Sequence, residues 1–138
     1  MTRDIFIDSG AFIALLDRSD RLHGEALSLF AHRPKRWSTS ALVISEAYGW
    51  FLHRLGEDAA RTFRLLVLDL PRLRVLGSDA RHVDSVHAKL DVLRGCKLTF
   101  VDASSLVWLE EKKIRTVWGT DHHLAIEGAK VVPGPPSP

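Results

Sequence analysis

Residues 5–16 read IFIDSGAFIALL, and the pattern of this stretch indicates the fold class. Its first three residues are apolar, which predicts a short buried strand that ends at Ile7. Apolar residues then recur at helical spacing, which predicts a helix directly after Asp8. A buried strand that leads straight into such a helix is typical of α/β proteins, in which helices cover both faces of a parallel sheet.

The same alternation of strand and helix continues along the chain. Further strands are predicted at 37–39, 73–76 and 116–118, with an edge strand at 130–132. Helices are predicted at 21–31, 40–55 (with Ser40 as N-cap), 58–70, 79–93 and 103–113. We therefore predict a three-layer α/β/α sandwich with a short, mainly parallel sheet. It forms one domain over residues 1–132, and the Pro-rich residues 133–138 are predicted to be a disordered tail.

Composition excludes several classes of protein. The 138-residue chain is 46% hydrophobic and 26% charged, as in globular proteins, and its apolar runs are too short to cross a membrane. Cys96 is the single cysteine, so an internal disulfide is excluded. No signal-peptide pattern opens the sequence, and we predict a cytoplasmic location without a membrane partner. The net charge of +2 is compatible with a polyanionic partner but does not require one.

Two aspartates come directly after, or close after, predicted strands. Asp8 follows the first strand, and Asp121 follows residues 116–118 after Gly119 and Thr120. Each has a simple alternative explanation as the N-cap of the next helix. The carboxyl ends of parallel strands meet at one edge of the sheet, however, where α/β proteins bind their ligands. The sequence therefore predicts that Asp8 and Asp121 converge.

Two further acids are predicted to lie on inward helix faces. Glu46 neighbours Val43, Ala47 and Trp50 at helical spacings, which places its carboxylate on or beside the buried stripe. Asp102 shares a face with apolar residues later in the same helix. Its alternative explanation is a capping box with the Thr three positions before it.

Together the four acids predict a metal centre. Carboxylates that face one crevice repel one another, and a hard divalent cation relieves that repulsion. Oxygen ligands suit Mg²⁺, so we predict a Mg²⁺ site at Asp8, Glu46, Asp102 and Asp121, with Mn²⁺ as the alternative ion. Zinc is disfavoured because the chain lacks cysteine pairs and a His-x-x-x-His spacing. Such an ion supports in-line displacement at phosphorus, so the predicted reaction is phosphodiester hydrolysis with these acids as its catalytic residues.

Other aromatic and imidazole side chains are predicted to be structural. His122 and His123 follow Asp121, but adjacent residues point in different directions, so a shared metal is not expected. We predict a structural or surface role for both. The four tryptophans fall in predicted strands or on helix faces and are predicted to be core residues rather than base-stacking platforms: Trp37, Trp50, Trp108 and Trp118.

At these acids the sequence resembles the PIN-domain family, and within it the VapC-type ribonuclease toxins of type II toxin-antitoxin pairs. The matching stretches are residues 5–17, 39–46, 101–104 and 119–124, in the family's order. The resemblance implies a metal-dependent endoribonuclease that acts on RNA, with Asp8, Glu46, Asp102 and Asp121 as metal-binding acids and Ser9 and Thr120 as supporting hydroxyls. It also implies a homodimer and an antitoxin partner.

Two positions depart from the family pattern. Ser9 stands where members often have Thr, and Leu124 stands where they often have an aromatic residue. Ser9 keeps the hydroxyl and Leu124 stays apolar, so neither change removes a ligand.

Three other functions remain as alternatives. A receiver-like signalling module is disfavoured because Asp8 is single where such modules have an acidic pair, and no Lys follows the last central strand. A phosphatase with an Asp-x-Asp nucleophile is disfavoured because Gly10 occupies the second acidic position. A PIN-like protein that binds or processes RNA without a toxin role is the third, and for a scaffold that does not cut RNA we would expect one acid to be missing.

Overall fold

The computed structural model describes residues 4–133 and contains a five-stranded sheet. All strand pairs are parallel. The strands are β1 (Asp4–Ile7), β2 (Arg36–Ser40), β3 (Leu73–Leu76), β4 (Thr116–Gly119) and β5 (Lys130–Pro133), and their order in the sheet is β3-β2-β1-β4-β5.

Six α-helices and one short 3₁₀ helix connect the strands. They are α1 (Ser9–Leu16), α2 (His23–Ala31), α3 (Ala41–Leu55), α4 (Glu57–Asp69), α5 (Ala80–Val92) and α6 (Phe100–Lys112), with the 3₁₀ helix at His122–Ala125. The chain moves outward from β1 in one direction through β2 and β3, and in the other direction through β4 and β5. Right-handed crossovers in opposite directions place helices on opposite faces of a sheet. This architecture confirms the predicted α/β sandwich.

The element boundaries differ from the prediction at two informative places. Helix α6 begins at Phe100 rather than at residue 103, because Thr99 caps it in a reciprocal capping box with Asp102. Strand β5 includes Pro133, one residue past the predicted end of the domain. The rest of the predicted tail, residues 134–138, lies outside the described residues. Within residues 4–133, no helix combines the length and the apolar character that a membrane crossing requires.

Aromatic side chains fill the centre of the core. Phe12 packs edge-on against Phe63 at a centroid distance of 5.3 Å, and Phe63 stacks on Phe51 at 5.2 Å. Trp37 is fully buried on β2 and donates its indole N–H to the Pro71 carbonyl at 3.1 Å. Trp108 and Trp118 are also buried and Trp50 is partly buried, so the tryptophans are core residues as predicted.

The topological switch point of the sheet, on either side of which successive strands are added in opposite directions, lies between β1 and β4. These two strands pair in register, with Ile7 opposite Trp118. Asp8 follows Ile7 and Gly119 follows Trp118, so these two residues are neighbours at the carboxyl edge of the sheet. Ligands of open α/β sheets bind at this position.

Candidate active site

Asp8 is held at the end of β1 by the backbone. Its N–H donates to the Trp118 carbonyl at 3.0 Å, which extends the contact between β1 and β4 by one residue. Only 6% of Asp8 is exposed. It occupies the N-cap position of α1, yet in the described structure its side chain makes no cap hydrogen bond. Helix capping therefore does not explain why a carboxylate is buried here.

Two glycines allow the chain to close tightly around Asp8. A Cβ atom at Gly119 would lie 3.0 Å from the Cβ of Asp8 and 3.4 Å from its Oδ2. A Cβ atom at Gly10 would lie 2.9 Å from the Oγ1 of Thr120. Both contacts are tighter than almost all Cβ contacts, so a side chain at either position would push its neighbours aside. Thr120, predicted as a supporting hydroxyl, thus lies against the start of α1.

Glu46 is tied to the loop after β1 through Ser9. The Ser9 hydroxyl, which the resemblance implies as a supporting group, donates to Oε1 of Glu46 at 2.6 Å. Glu46 was expected on or beside the buried stripe, and its exposure places it beside that stripe rather than within it. The flanking Val43 and Ala47 are fully buried, so the carboxylate lies at the border of that stripe.

Asp102 has both of the functions that the sequence left open. Its Oδ2 accepts the Thr99 backbone N–H at 3.1 Å, and its own N–H donates to the Thr99 hydroxyl at 3.1 Å. The same carboxylate is 9% exposed and faces Asp121. Burial raises the pKa of Asp102, and the proximity of Asp121 raises it further.

Asp121 is the N-cap of the 3₁₀ helix and a neighbour of Asp102. Its Oδ1 accepts the His123 backbone N–H at 2.9 Å. Burial acts to raise the pKa of Asp121, but hydrogen bonds from His123 and Asp102 outweigh burial, and its pKa lies below the usual value. One ligand atom from each of Asp102, Asp121 and His123 lies within 4.8 Å of the others. The structure therefore brings two of the predicted acids into direct proximity.

The electrostatics of Asp8 link all four acids. Burial is the main cause of a pKa raised from 3.8 to about 7; the negative charges of Glu46, Asp121 and Asp102 contribute to this rise, and the Ser9 backbone amide opposes it. The charges of all three other acids thus act on Asp8. Within residues 4–133, none of the four acids forms an ion pair with Lys or Arg.

The opposite end of β1 provides an internal comparison. Asp4, at the start of the strand, lies 3.1 Å from Nη2 of Arg74 and 3.9 Å from Nη2 of Arg36. Arginines thus balance the acid at the amino edge, whereas the charged side chains that act on Asp8 at the carboxyl edge are all acids. A buried carboxylate without a counter-charge is strongly unfavourable unless it binds a proton or a cation. The residues therefore fit a divalent metal ion, and their oxygen donors suit a hard one.

His123 lies closer to the acids than the sequence suggested. Its Nδ1 is 2.9 Å from Oδ1 of Asp121 and 4.0 Å from Oδ2 of Asp102. His122 is exposed, and its ring stacks on that of His123 rather than pointing in a different direction. The conformation of the short turn decides which of the two rings faces the acids, and spacing in the sequence does not reveal it.

The best-formed cavity does not include the acids. It has a volume of about 360 Å³, lies beside the end of α6 and is lined by residues that include Leu109, Ile114 and Gly128, but by none of the four acids. The acids lie instead at the carboxyl edge of the sheet, where they range from the buried Asp8 to the exposed Glu46.

Comparisons with known proteins agree with this geometry. A family model described as PIN domain matches residues 5–126. Mycobacterium tuberculosis VapC20, described as a Sarcin-Ricin loop cleaving toxin, is 26% identical over 91% of this chain and 95% of its own, with a TM-score of 0.82. PAE2754 from Pyrobaculum aerophilum is 28% identical over 96% of this chain and 91% of its own, with a TM-score of 0.63.

A third structure shares the fold alone. The DNA-bound VapBC of Salmonella typhimurium is 18% identical over 95% of this chain and 97% of the matched chain, with a TM-score of 0.61. No curated protein sequence gives a significant match.

Proposed function

Because this chain belongs to the PIN domain family, we propose that it is an endoribonuclease that requires a divalent cation. Asp8, Glu46, Asp102 and Asp121 are its catalytic, metal-binding acids, and Mg²⁺ is the first ion to test, with Mn²⁺ second. The observation that carries this proposal is Asp8, which is 6% exposed, has a pKa raised to about 7 and is acted on by the negative charges of the three other acids. The positive charge of a cation at this position would offset the cost of burying the ionised Asp8 carboxylate.

The roles of the residues follow from their contacts. Asp8 and Asp121, fixed by backbone hydrogen bonds at the sheet edge, would provide the rigid part of the metal site. Glu46 is exposed, and the 2.6 Å hydrogen bond from Ser9 would orient it toward the same site. The cation, when bound, polarises water and neutralises charge that develops on the phosphate. Gly10 and Gly119 would keep the backbone close enough for the acids to converge.

We further propose that the protein is the toxin of a VapBC-type pair. The likeness to VapC20 over nearly the full length of both chains supports this. An antitoxin protein and a second copy of this chain are then its protein partners, and RNA is its substrate. Because VapC20 is described as cleaving the Sarcin-Ricin loop, an RNA hairpin with that loop is the first substrate to assay.

Cleavage of RNA by purified protein tests the nuclease proposal. We expect cleavage in Mg²⁺ or Mn²⁺, none in EDTA, and recovery when the metal is restored. Asp8→Asn and Asp121→Asn should abolish cleavage, whereas Asp84→Asn, which removes an exposed acid on α5, should retain it.

Two results would contradict the proposal. Full cleavage by Asp8→Asn would exclude this site as the catalytic centre. Binding of RNA by the wild-type protein without cleavage in either metal would instead favour the non-catalytic RNA-binding alternative. The toxin proposal has a separate test, which is whether a small DNA-binding protein encoded by the neighbouring gene binds this chain and blocks cleavage.

A further inference from the structure

We propose that the imidazole of His123 is a direct nitrogen ligand of the divalent cation, beside the carboxylates of Asp102 and Asp121, and that the site therefore prefers Mn²⁺ to Mg²⁺. This inference rests on the metal site in the proposed function and adds to it a ligand and a metal preference. It concerns a residue that the sequence pattern predicted to be structural or on the surface.

The spacing of the three side chains fits coordination. Two ligands that bind one ion at about 2.1 Å and at right angles are about 3 Å apart, and opposite ligands are about 4 Å apart. The Nδ1 atom of His123 lies 2.9 Å from Oδ1 of Asp121 and 4.0 Å from Oδ2 of Asp102. All three ligand atoms are within 4.8 Å of one another. They can therefore approach one ion with little movement of the backbone.

The local structure holds the imidazole at this position. The backbone N–H of His123 donates to Asp121, which fixes the turn that carries the ring. The neighbouring ring of His122 stacks on it at a centroid distance of 4.6 Å and an angle of 29°. The His123 side chain is 31% exposed, so an ion from solvent can reach it.

A second observation indicates that a cation belongs here. The carboxylate of Asp8 is buried, makes no cap hydrogen bond and is acted on by the charges of the other acids. The simpler explanation of the 2.9 Å contact is a hydrogen bond from Nδ1–H of His123 to Asp121 in the metal-free protein. Coordination replaces that hydrogen bond, because the neutral ring then carries its proton on Nε2 and offers the Nδ1 lone pair.

A nitrogen donor changes the preference among metals. Mg²⁺ takes oxygen ligands almost exclusively, whereas transition metals accept imidazole readily. With His123 as a ligand, the site should bind Mn²⁺ more tightly than a site built from carboxylates alone. The effect on Mg²⁺ binding should be smaller.

Electron spin echo measurements on the Mn²⁺-loaded full-length protein test this directly, because they detect nitrogen bound to Mn²⁺. We expect the modulation of a coordinated ¹⁴N in the wild-type protein and in His122→Gln, and its loss in His123→Gln. Calorimetric titration should show that His123→Gln weakens Mn²⁺ binding by about tenfold or more, and Mg²⁺ binding less. Circular dichroism should establish that both variants are folded.

The outcomes separate this inference from the proposed function. Mn²⁺ that binds in an Asp8-dependent manner without coordinated nitrogen would overturn the role of His123 and leave the acidic metal site intact. A nitrogen signal that persists in His123→Gln would also overturn it. If the wild-type protein binds no Mn²⁺, or if Asp8→Asn leaves binding unchanged, the metal site and the inference fail together.

Discussion

Replacing Asp8 with Asn should stabilise the metal-free protein, although it should abolish catalysis. The carboxylate of Asp8 is buried and faces three other acids, so its ionisation opposes folding when no cation is present. Asparagine has nearly the same shape and no charge. In EDTA at alkaline pH, the variant should therefore unfold at higher urea concentration than the wild-type protein.

The size of the effect follows from the pKa of Asp8. In the folded protein the pKa of Asp8 is raised to about 7 from its usual value of 3.8. A difference of roughly three units corresponds to about 4 kcal/mol of lost stability once the group is ionised in both states. This figure is a ceiling, because the site can relax and the Asn amide must find its own partners.

The dependence on pH has a defined direction. Since the pKa of Asp8 is raised in the folded state, the folded protein keeps this proton up to a higher pH than the unfolded protein does. The penalty is absent below the usual pKa of 3.8, grows as the pH rises, and is complete above about 7. Between pH 5 and pH 8, the advantage of Asp8→Asn should therefore grow by up to about 3 kcal/mol.

Urea unfolding followed by circular dichroism, in EDTA at both pH values, measures this advantage. Asp84→Asn is the matched control, since Asp84 is exposed on α5 and its removal should change little at either pH. Adding Mn²⁺ should stabilise the wild-type protein and have little effect on Asp8→Asn. An Asp8→Asn variant that is less stable than the wild-type protein by the same amount at pH 5 and pH 8 would refute the reasoning.

Two other substitutions test residues that contact the acids, Gly119 beside Asp8 and Ser9 beside Glu46. Gly119→Ala places a Cβ atom 3.0 Å from the Cβ of Asp8, so it should lower stability by about 1–3 kcal/mol and impair cleavage. Thermal unfolding measures the loss of stability. Gly24→Ala is the control that should be tolerated, because a Cβ atom there meets nothing within 4 Å. Ser9→Ala removes the 2.6 Å hydrogen bond to Glu46 and should lower kcat/KM for RNA by about tenfold or more, whereas Ser9→Thr should keep most activity. Equal activity of Ser9→Ala and the wild-type protein would show that Glu46 needs no such support.

The sequence predicted the fold well because its signals are local. Four of the five strands contain at least two apolar residues, and α3, α5 and α6 begin at residues whose side chains cap them, as Ser40 does for α3. Convergence of Asp8 and Asp121 also followed from local patterns, because parallel strands bring their carboxyl ends to one edge. The observed pairing of Ile7 with Trp118 is consistent with that reasoning.

Features that depend on side-chain conformation or register were not predictable. Helical spacing placed Glu46 beside Val43 and Ala47, but a long flexible side chain at the border of a buried stripe can turn outward. The need for glycine at Gly119 follows only from the exact register of β1 against β4, which sets its distance to Asp8.

The start of α6 could have been predicted from the sequence, whereas the position of the His123 ring could not. The pair of Thr99 and Asp102 was recognised as a capping box, yet the helix start was expected after it, at residue 103 rather than at Phe100. His123 faces the acids because of one short turn of 3₁₀ helix, whose ring orientations no periodic pattern encodes.

Anomalous diffraction from crystals grown with Mn²⁺ tests most directly whether the acids at the carboxyl edge hold the catalytic cation. The account predicts a strong manganese peak bounded by Asp8, Asp102 and Asp121, and the absence of that peak in crystals of Asp8→Asn. It would be contradicted by a protein that cleaves RNA in Mn²⁺ while the manganese lies elsewhere, or by the same peak in the Asp8→Asn variant.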